Sequence, residues 1–476
     1  MKILIALSHG GFFRHFETVV SSLADRGHEV RVITRFIRKT GSDDELAYRE
    51  AMMASVAGVD GGSYDLGMIV RGDHWTLPVN LMRACLDYAL YLRPQHNSPQ
   101  LADRIAGHCP RPVRAAVRTR AGRRLVASDR FWRAARRASA VFPADGGIAA
   151  QVAQASPDVV VGCPFVYTFC NDVEYLRAAL KQGISTVGVV GSWDNLTTKG
   201  ASHLLVDRVL VWNQPLADEA EQIHAFPRNR IEVTGAAKFD AYFELDRARS
   251  REDFCARAGL EPGLPFVLYV GSSKQVAGDE SGFVRDLAGS LRSNPGLGEL
   301  QMVVRPHPLN VDSWTGFSEP GVVVFPADGA RPDLEGPRQD YFDTLTHSAA
   351  VIGVNTTAFL EAAVTDRPCL SIVSERHRQG QVERGHFHHL LDGGFIETSP
   401  DLEGAAAIVS RILAGEDPRR EQRRRFVGYF VRPGGMDRRA GEVVAEAIER
   451  AGRAGRPSDV PAAGELDPAL VTAGPR

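Results

Sequence analysis

A short polar run between an apolar stretch and an amphipathic pattern carries the strongest chemical signal in the sequence. Val351–Val354 reads as a buried strand and Ala358–Val364 as a helix. Between them lie Asn355, Thr356 and Thr357. A helix N-terminus presents unpaired backbone N–H groups and a positive dipole potential, and threonine hydroxyls add donors. The pattern indicates a phosphate site.

An acidic residue on the same predicted helix extends this signal. Glu361 lies four residues after Thr357, one turn along the same face, so its carboxylate can accept hydrogen bonds from ribose hydroxyls while the helix start holds the phosphates. A capped helix with an incidental glutamate would give the same pattern. On this segment alone, both interpretations stand.

Two more turns with phosphate-compatible groups follow predicted strands. Gln301–Arg305 runs into a proline-bracketed histidine, His307, which could hydrogen-bond to or neutralise a phosphate leaving group; a turn histidine satisfied by the backbone is the alternative. Arg305 is predicted to belong to the same phosphate-binding turn. The strand Phe266–Val270 is followed by the small, polar residues Gly271, Ser272, Ser273 and Lys274. Parallel strands meet at one sheet edge with their carboxyl ends, so three such turns predict a nucleotide mono- or diphosphate site.

These turns require parallel sheets to position them. Apolar strand patterns at Ile3–Leu7, Asp158–Gly162, Ile184–Val190, Arg208–Trp212 and Ile231–Thr234 alternate with crossover segments, and the alternation restarts after a charged connector. We therefore predict an α/β fold of two doubly wound, Rossmann-like domains, residues 1–236 and 237–450, the second including a terminal helix. Ligands are expected in the cleft between the two domains.

Two segments lie outside the alternation. Residues from about 76 to 140 are predicted to form a helical insertion with ten arginines between positions 111 and 137. A basic amphipathic insertion suggests contact with an anionic membrane or acceptor, with Phe131 and Trp132 entering the interface; a solvated helical face is the alternative. Residues 451–476 are rich in Gly, Pro and Ala, which predicts a disordered tail.

Composition narrows the class of protein. The chain has 476 residues, 44% of them hydrophobic, and a formal net charge of -2, so nothing attracts it globally to nucleic acid. Six scattered cysteines without a C-x-x-C pair argue against a disulfide framework or a zinc knuckle and favour a reducing compartment. No window approaches the length of a membrane span. We expect a cytoplasmic protein.

The succession strand-GSSK, strand-RPHP and strand-NTTAFLEAAVTDRPCL resembles the donor-binding domain of the GT-B glycosyltransferase superfamily. The similar branch contains CDP-glycerol glycerophosphotransferases, capsule Kdo and sialic-acid transferases and UDP-GlcNAc 2-epimerases. In the first half, GSWDNLTTKG, VLVWN and VTGAAKFD also fit. The resemblance implies that His307 contacts donor phosphate, that Thr356 and Thr357 bind at the helix start, and that Glu361 binds ribose.

The resemblance also implies a reaction without a metal or other cofactor. No D-x-D motif occurs in the sequence, so protein groups would stabilise the leaving phosphate. An inverting transfer needs a base for the acceptor hydroxyl. The candidates are His9, in the turn after the first strand, and Asp194, for which an Asx turn is an equal alternative. Predicted acceptor-side residues are Gly10, Gly11, His15, Trp193, Asn195 and Lys199.

A histidine cluster, His386, His388 and His389, is interpreted as an acceptor or phosphate contact because its spacing lacks a metal-ligand partner. The function expected is transfer of a sugar from a nucleotide-sugar donor to a glycan or glycolipid acceptor in surface polysaccharide biosynthesis. The alternatives are a CDP-polyol phosphotransferase, a nucleotide-sugar 2-epimerase or hydrolase on the same scaffold, and a catalytically silent nucleotide-binding module. The nucleotide base, the sugar and the acceptor stay open.

Overall fold

A computed structural model describes residues 1–35, 50–52, 54, 56, 58, 60–65, 67–96, 98–168, 170–247, 249–273, 276–308, 310–330, 332, 335–375, 381 and 385–456. These residues form two compact units. Unit 1 contains Met1–Lys238 and the described residues from Arg432 onward, and unit 2 contains Phe239–Val431. The predicted tail from residue 457 lies outside the described residues.

The described part of unit 1 is built on a parallel sheet. Its strands are β1 (Lys2–Leu7), β2 (Glu29–Thr34), β3 (Gly62–Asp65), β4 (Val159–Cys163), β5 (Ser185–Val189), β6 (Arg208–Val211) and β7 (Ile231–Val233). Their order is β3-β2-β1-β4-β5-β6-β7, with Ile5 opposite Val32 on β2 and Val161 on β4. The chain order reverses beside β1, the topology of doubly wound folds.

Unit 2 contains a second parallel sheet. Its strands are β8 (Phe266–Val270), β9 (Gln301–Arg305), β10 (Val322–Val324), β11 (Val351–Gly353), β12 (Cys369–Ile372) and β13 (Ile396–Ser399), in the order β10-β9-β8-β11-β12-β13. β8, β9, β11 and β12 are buried along their whole length. This explains why they read as continuous apolar runs, since a parallel sheet is covered on both faces.

Helices connect these strands. Among the described residues, the α-helices with both ends placed are α1 (Glu17–Asp25), α2 (Thr76–Leu92), α3 (Pro99–Ala106), α4 (Arg111–Val117), α5 (Arg120–Val126), α6 (Asp129–Val141), α7 (Gly146–Ala155), α8 (Asp172–Lys181), α9 (Asn195–Thr198), α10 (Gln214–Gln222), α11 (Asp240–Glu244), α12 (Arg251–Ala258), α13 (Ser281–Ser293), α14 (Glu335–His347), α15 (Ala358–Val364), α16 (Phe387–Asp392), α17 (Leu402–Leu413), α18 (Arg420–Phe426) and α19 (Ala440–Ala454). Short 3-10 helices span Gly10–His15, Pro94–His96, Arg228–Arg230, Ala237–Phe239 and Val311–Trp314, and a π-helix spans Val427–Val431. Among the described residues, no helix is long and apolar enough to cross a bilayer.

The terminal helix corrects one prediction. α19 was assigned to the second domain and packs instead on unit 1, where Val444 and Ile448 share an apolar core with Val19 of α1. Arg26 adds ion pairs of 3.0 and 3.2 Å to two glutamates of α19, Glu446 and Glu449. The apolar side chains of α19 therefore pack on those of α1, and its two glutamates pair with Arg26, at the end of α1. The helix also continues to Ala454, into the segment predicted to be disordered.

The arginine-rich segment is helical, as predicted, and α4, α5 and α6 are named here the arginine helices. Their exposed arginines are Arg111, Arg118, Arg120, Arg123, Arg124, Arg130, Arg133 and Arg137. The prediction that Trp132 enters an interface is wrong, because its side chain is fully buried between the guanidinium groups of Arg93 and Arg136, 4.9 and 4.5 Å from its ring. Burial, and to a smaller extent the neighbouring arginines, lower the pKa of Arg136 to about 9.

Candidate functional site

Three polar turns of unit 2 lie side by side, because β9, β8 and β11 are neighbours in the sheet. The N–H of Gly271, after β8, donates to the carbonyl of Arg305, at the end of β9, over 2.9 Å. A Cβ on Gly271 would lie 3.3 Å from both the Arg305 carbonyl oxygen and the His307 nitrogen. A glycine therefore lets the first two turns approach each other closely.

The turn after β8 is held by a buried acid that the sequence analysis did not single out. Glu280 accepts from the Ser272 N–H over 2.6 Å and from the Tyr269 hydroxyl over 2.7 Å. Burial raises the pKa of this carboxyl group. Ser273 is half-buried, and Lys274 lies outside the described residues. The turn is therefore rigid up to Ser273, and the role of Lys274 stays a prediction.

The two predicted phosphate-binding residues of the turn after β9 differ in burial. His307 is half-buried, and its carbonyl accepts from the Asn310 N–H over 2.7 Å. The Arg305 side chain is buried, with its guanidinium 4.3 Å from the centre of the Tyr341 ring and Nη2 donating to the Ala330 carbonyl over 3.0 Å. Arg305 thus supplies positive charge from beneath the turn.

Tyr341 connects Arg305 to the acid that was predicted to bind ribose. Its hydroxyl donates to Glu361 Oε2 over 2.8 Å, and Glu361 is 9% exposed. Burial raises the pKa of Tyr341 well above its usual value, and the charge of Glu361 adds to the effect. Nothing in the apolar pattern of α14 distinguished Tyr341 from a core residue. Glu361 therefore has a structural contact in addition to its predicted role.

The start of α15 lies after β11, next to β8. Asn355 is buried, and Thr356 and Thr357 are half-buried. Thr356 Oγ1 accepts from the Ala358 N–H over 3.3 Å, whereas Thr357 makes no side-chain capping bond to the helix. A Cβ on Gly353 would lie 3.2 Å from the Val270 carbonyl oxygen. The structure thus brings the three predicted donor-side turns together at one edge of the sheet.

The predicted acceptor-side turns of unit 1 also meet. After β1, the ring of Phe12 lies 4.4 Å from that of His9 and 5.8 Å from that of His15. Phe12 contacts Tyr167, from the loop after β4, at 6.3 Å, and Lys199 Nζ lies 6.0 Å from the Tyr167 ring. Gly10 is buried, and a Cβ on Gly11 would lie 3.2 Å from the His9 ring. We name His9, Phe12, His15, Tyr167 and Lys199 the β1-edge cluster.

The loop after β5 contains two predicted acceptor-side residues whose side chains are buried. Trp193 and Asn195 are 2% and 1% exposed, and their contact with an acceptor stays a prediction. Asp194 pairs with Lys199 over 3.2 Å, and the Thr198 hydroxyl lies 3.4 Å from its carboxylate. Lys199 is therefore the predicted contact residue of this loop that best reaches the surface.

Buried polar and ionisable side chains hold the turn after β1 in place. Burial lowers the pKa of His15 well below its usual value, and Arg14, Lys238 and His9 lower it further, so His15 is neutral at neutral pH. Ser8 donates to the buried carboxylate of Asp172 over 2.5 Å. Lys238, from the segment after β7, was not among the predicted site residues.

The histidine cluster lies at α16. His386 is buried, His388 is exposed, and the ring of His389 lies 5.8 Å from that of Phe430. Within the described ranges, no three His, Cys, Asp or Glu side chains form a group that could hold a metal ion. The role of this cluster stays a prediction.

Comparisons with known proteins identify the fold. No known protein family and no curated protein sequence matches the chain. Solved structures do: the UDP-GlcNAc 2-epimerase of Neisseria meningitidis bound to UDP-GlcNAc is 11% identical, with a TM-score of 0.54 over 94% of this chain and 100% of that one. S. aureus MnaA with UDP is 14% identical, with a TM-score of 0.51 over 96% and 99%. A glycosyltransferase of Rickettsia africae is 10% identical, with a TM-score of 0.50 over 95% and 98%. The chain has the GT-B fold, as the sequence predicted.

Proposed function

We propose that this protein is a glycosyltransferase that moves a sugar from a nucleotide-sugar donor to a glycan or glycolipid acceptor in surface polysaccharide biosynthesis. The observation that carries the proposal is the meeting of the turns after β8, β9 and β11 at the carboxyl edge of the unit 2 sheet. That edge is where ligands bind in such sheets. Similar structures with bound UDP or UDP-GlcNAc support a nucleotide sugar as the partner.

In the proposed donor site, protein groups stabilise the negative charge of the leaving phosphate. Backbone N–H groups and the hydroxyl groups of Thr356 and Thr357 lie at the start of α15, His307 adds an imidazole, and buried Arg305 adds positive charge. Glu361 would accept from the ribose hydroxyls. Fixed groups of this kind stabilise charge without reorganisation when the bond to the sugar breaks.

The base that deprotonates the acceptor is proposed to be His9 or Asp194. His9 belongs to the β1-edge cluster and lies beside Gly10 and Gly11, which lets an acceptor come close. The carboxylate of Asp194 is engaged by Lys199 at 3.2 Å. An imidazole can also accept a proton near neutral pH. We therefore place His9 first.

A nucleotide panel followed by a product assay tests the function. We expect one of UDP, GDP, CDP, CMP and ADP to raise the melting temperature, because a ligand that binds only the folded state stabilises it. Glu361→Gln, which keeps an acceptor oxygen for Tyr341, should reduce that shift. The matching nucleotide sugar should then be consumed only when a polysaccharide or glycolipid acceptor is present.

Three results of these assays would contradict the proposal. Consumption of the nucleotide sugar at the same rate without acceptor would identify an epimerase or a hydrolase. Nucleotide binding with no turnover of any matching sugar nucleotide or CDP-polyol would identify a binding module. Transfer of a polyol phosphate from a CDP-polyol to an acceptor, with release of CMP, would identify the phosphotransferase alternative.

Metal independence is proposed separately. We expect EDTA to leave the transfer rate unchanged, because the phosphate charge is met by protein groups and not by a divalent ion. The measurement is the initial rate of the same product assay before and after EDTA treatment, with a metal-dependent transferase as the control. Loss of activity that Mg²⁺ or Mn²⁺ restores would overturn this part of the proposal.

A further inference from the structure

A hollow among the arginine helices is unrelated to either set of predicted site residues. It has a volume of about 630 Å³ and is formed by α5, the start of α6 and the end of α2. This volume is in the range of small-molecule sites. Four guanidinium-bearing side chains line it, all of them exposed: Arg120, Arg123, Arg124 and Arg130.

The charge of this hollow is uncompensated within the described part of the chain. Its one acid, Asp129, is held by Arg93, whose Nε and Nη2 donate to Asp129 Oδ1 over 3.0 and 2.8 Å. No carboxylate of a described residue lies within 4.0 Å of the four lining guanidinium groups. Arg120 is three and four residues from Arg123 and Arg124, spacings at which like charges destabilise a helix. An anionic ligand would remove this repulsion.

Part of the lining of the hollow is apolar. Leu92, Pro94 and Ala127 lie among the arginines, with Leu92 buried and Pro94 exposed. A guanidinium group can bind a phosphate through two parallel hydrogen bonds, so several arginines around one hollow are suited to hold a phosphate group. Apolar and cationic side chains in one lining favour a ligand with a phosphate group and an organic part.

We propose that this hollow is a binding site for an organic phosphate, held by Arg120, Arg123, Arg124 and Arg130. The ligand has two possible sources with the same chemistry: a soluble phosphate ester, or the headgroup of an anionic lipid. The site belongs to unit 1 and shares no residue with the proposed donor site of unit 2. The proposal is therefore independent of the proposed function.

Protection from an arginine-specific reagent tests the site without interference from phosphate binding elsewhere. The full chain is treated with phenylglyoxal with and without pyrophosphate, and each arginine is followed by peptide mass spectrometry. At a pyrophosphate concentration about ten times the Kd, modification of the four lining arginines should slow about tenfold, as mass action requires. Arg111, Arg133 and Arg137, exposed outside the hollow, should react at unchanged rates.

Matched variants separate a built site from general positive charge. Arg123→Gln/Arg124→Gln should abolish the protection of Arg120 and Arg130. The control Arg133→Gln/Arg137→Gln removes the same two charges from exposed positions of α6 and should leave the protection intact. Equal loss in both variants, or equal slowing at all exposed arginines, would overturn the proposal.

Vesicles distinguish the two sources. If the ligand is a lipid headgroup, vesicles of phosphatidylglycerol, but not phosphatidylcholine, should co-sediment the protein at low salt, and the hollow variant should lose this binding while the control keeps it. If it is a soluble phosphate, pyrophosphate should protect the hollow while both variants behave alike with vesicles. Protection by neither probe would overturn the proposal. Thermal melts check that both variants fold.

Discussion

Replacing His307 with alanine is expected to lower kcat by about 10²–10³-fold at saturating donor, the cost of losing one preorganised group that stabilises developing charge. The imidazole is half-buried in the turn after β9, where the main chain is fixed by the 2.7 Å bond from Asn310 to the His307 carbonyl. Truncation should therefore remove the side chain without moving the turn. The effect should fall on kcat more than on KM, because the leaving phosphate gains its charge in the transition state.

The measurement is steady-state kinetics with the nucleotide sugar found in the binding panel, together with a thermal melt. His74→Ala is the matched control, since His74 is exposed on unit 1 and outside the predicted sites. An unchanged kcat in His307→Ala, or a loss of the same size in the control, would remove His307 from the donor site. A large fall in melting temperature would assign the loss to folding instead.

Glu174→Gln is expected to destabilise the protein by about 3–5 kcal/mol, the usual cost of breaking a buried ion pair from one side. Three buried arginines surround this one carboxylate in unit 1. Arg71 lies at 2.7 Å, Arg83 at 2.5 Å and Arg177 at 3.3 Å, with all four side chains no more than 5% exposed. Glutamine keeps the shape of the side chain but removes the negative charge that balances the three guanidinium groups.

Chemical denaturation measures this effect, with Glu221→Gln as the control. Glu221 is 48% exposed and lies 3.8 Å from Arg228, so its loss should cost at most about 1 kcal/mol. Adding Arg83→Met to Glu174→Gln should recover part of the stability, because it removes one uncompensated charge. A Glu174→Gln variant as stable as the control would contradict the role assigned to the cluster.

The same carboxylate gives the prediction a pH dependence. Burial raises the pKa of Glu174, but Arg83, Arg177 and Arg71 outweigh it, so the folded-state pKa lies below the usual value. The stabilisation is complete above the unfolded pKa and is lost as the pH falls through the folded pKa. The difference in stability between parent and Glu174→Gln should therefore shrink on acidification.

Several elements could be predicted from the sequence because their signals are local. Continuous apolar runs gave β8 and β9 at their observed bounds, and the polar run before α15 placed that helix correctly. The strands β3 and β13 were not predicted. Their sequences, GSYD and IETS, lack an apolar run, and they lie at sheet edges where few side chains need to be buried.

The sequence by itself therefore determined the two sheets and the order of the polar turns, since the burial of a strand and the chemistry of a turn depend on residues that are adjacent in the sequence. Only the tertiary structure decided that Trp132 is buried, that α19 returns to unit 1, and that Tyr341 joins Arg305 to Glu361. The partners in each case are distant in the chain. A buried charge or ring is stable only where packing supplies its partner, and packing between distant segments leaves no periodic signal in either one.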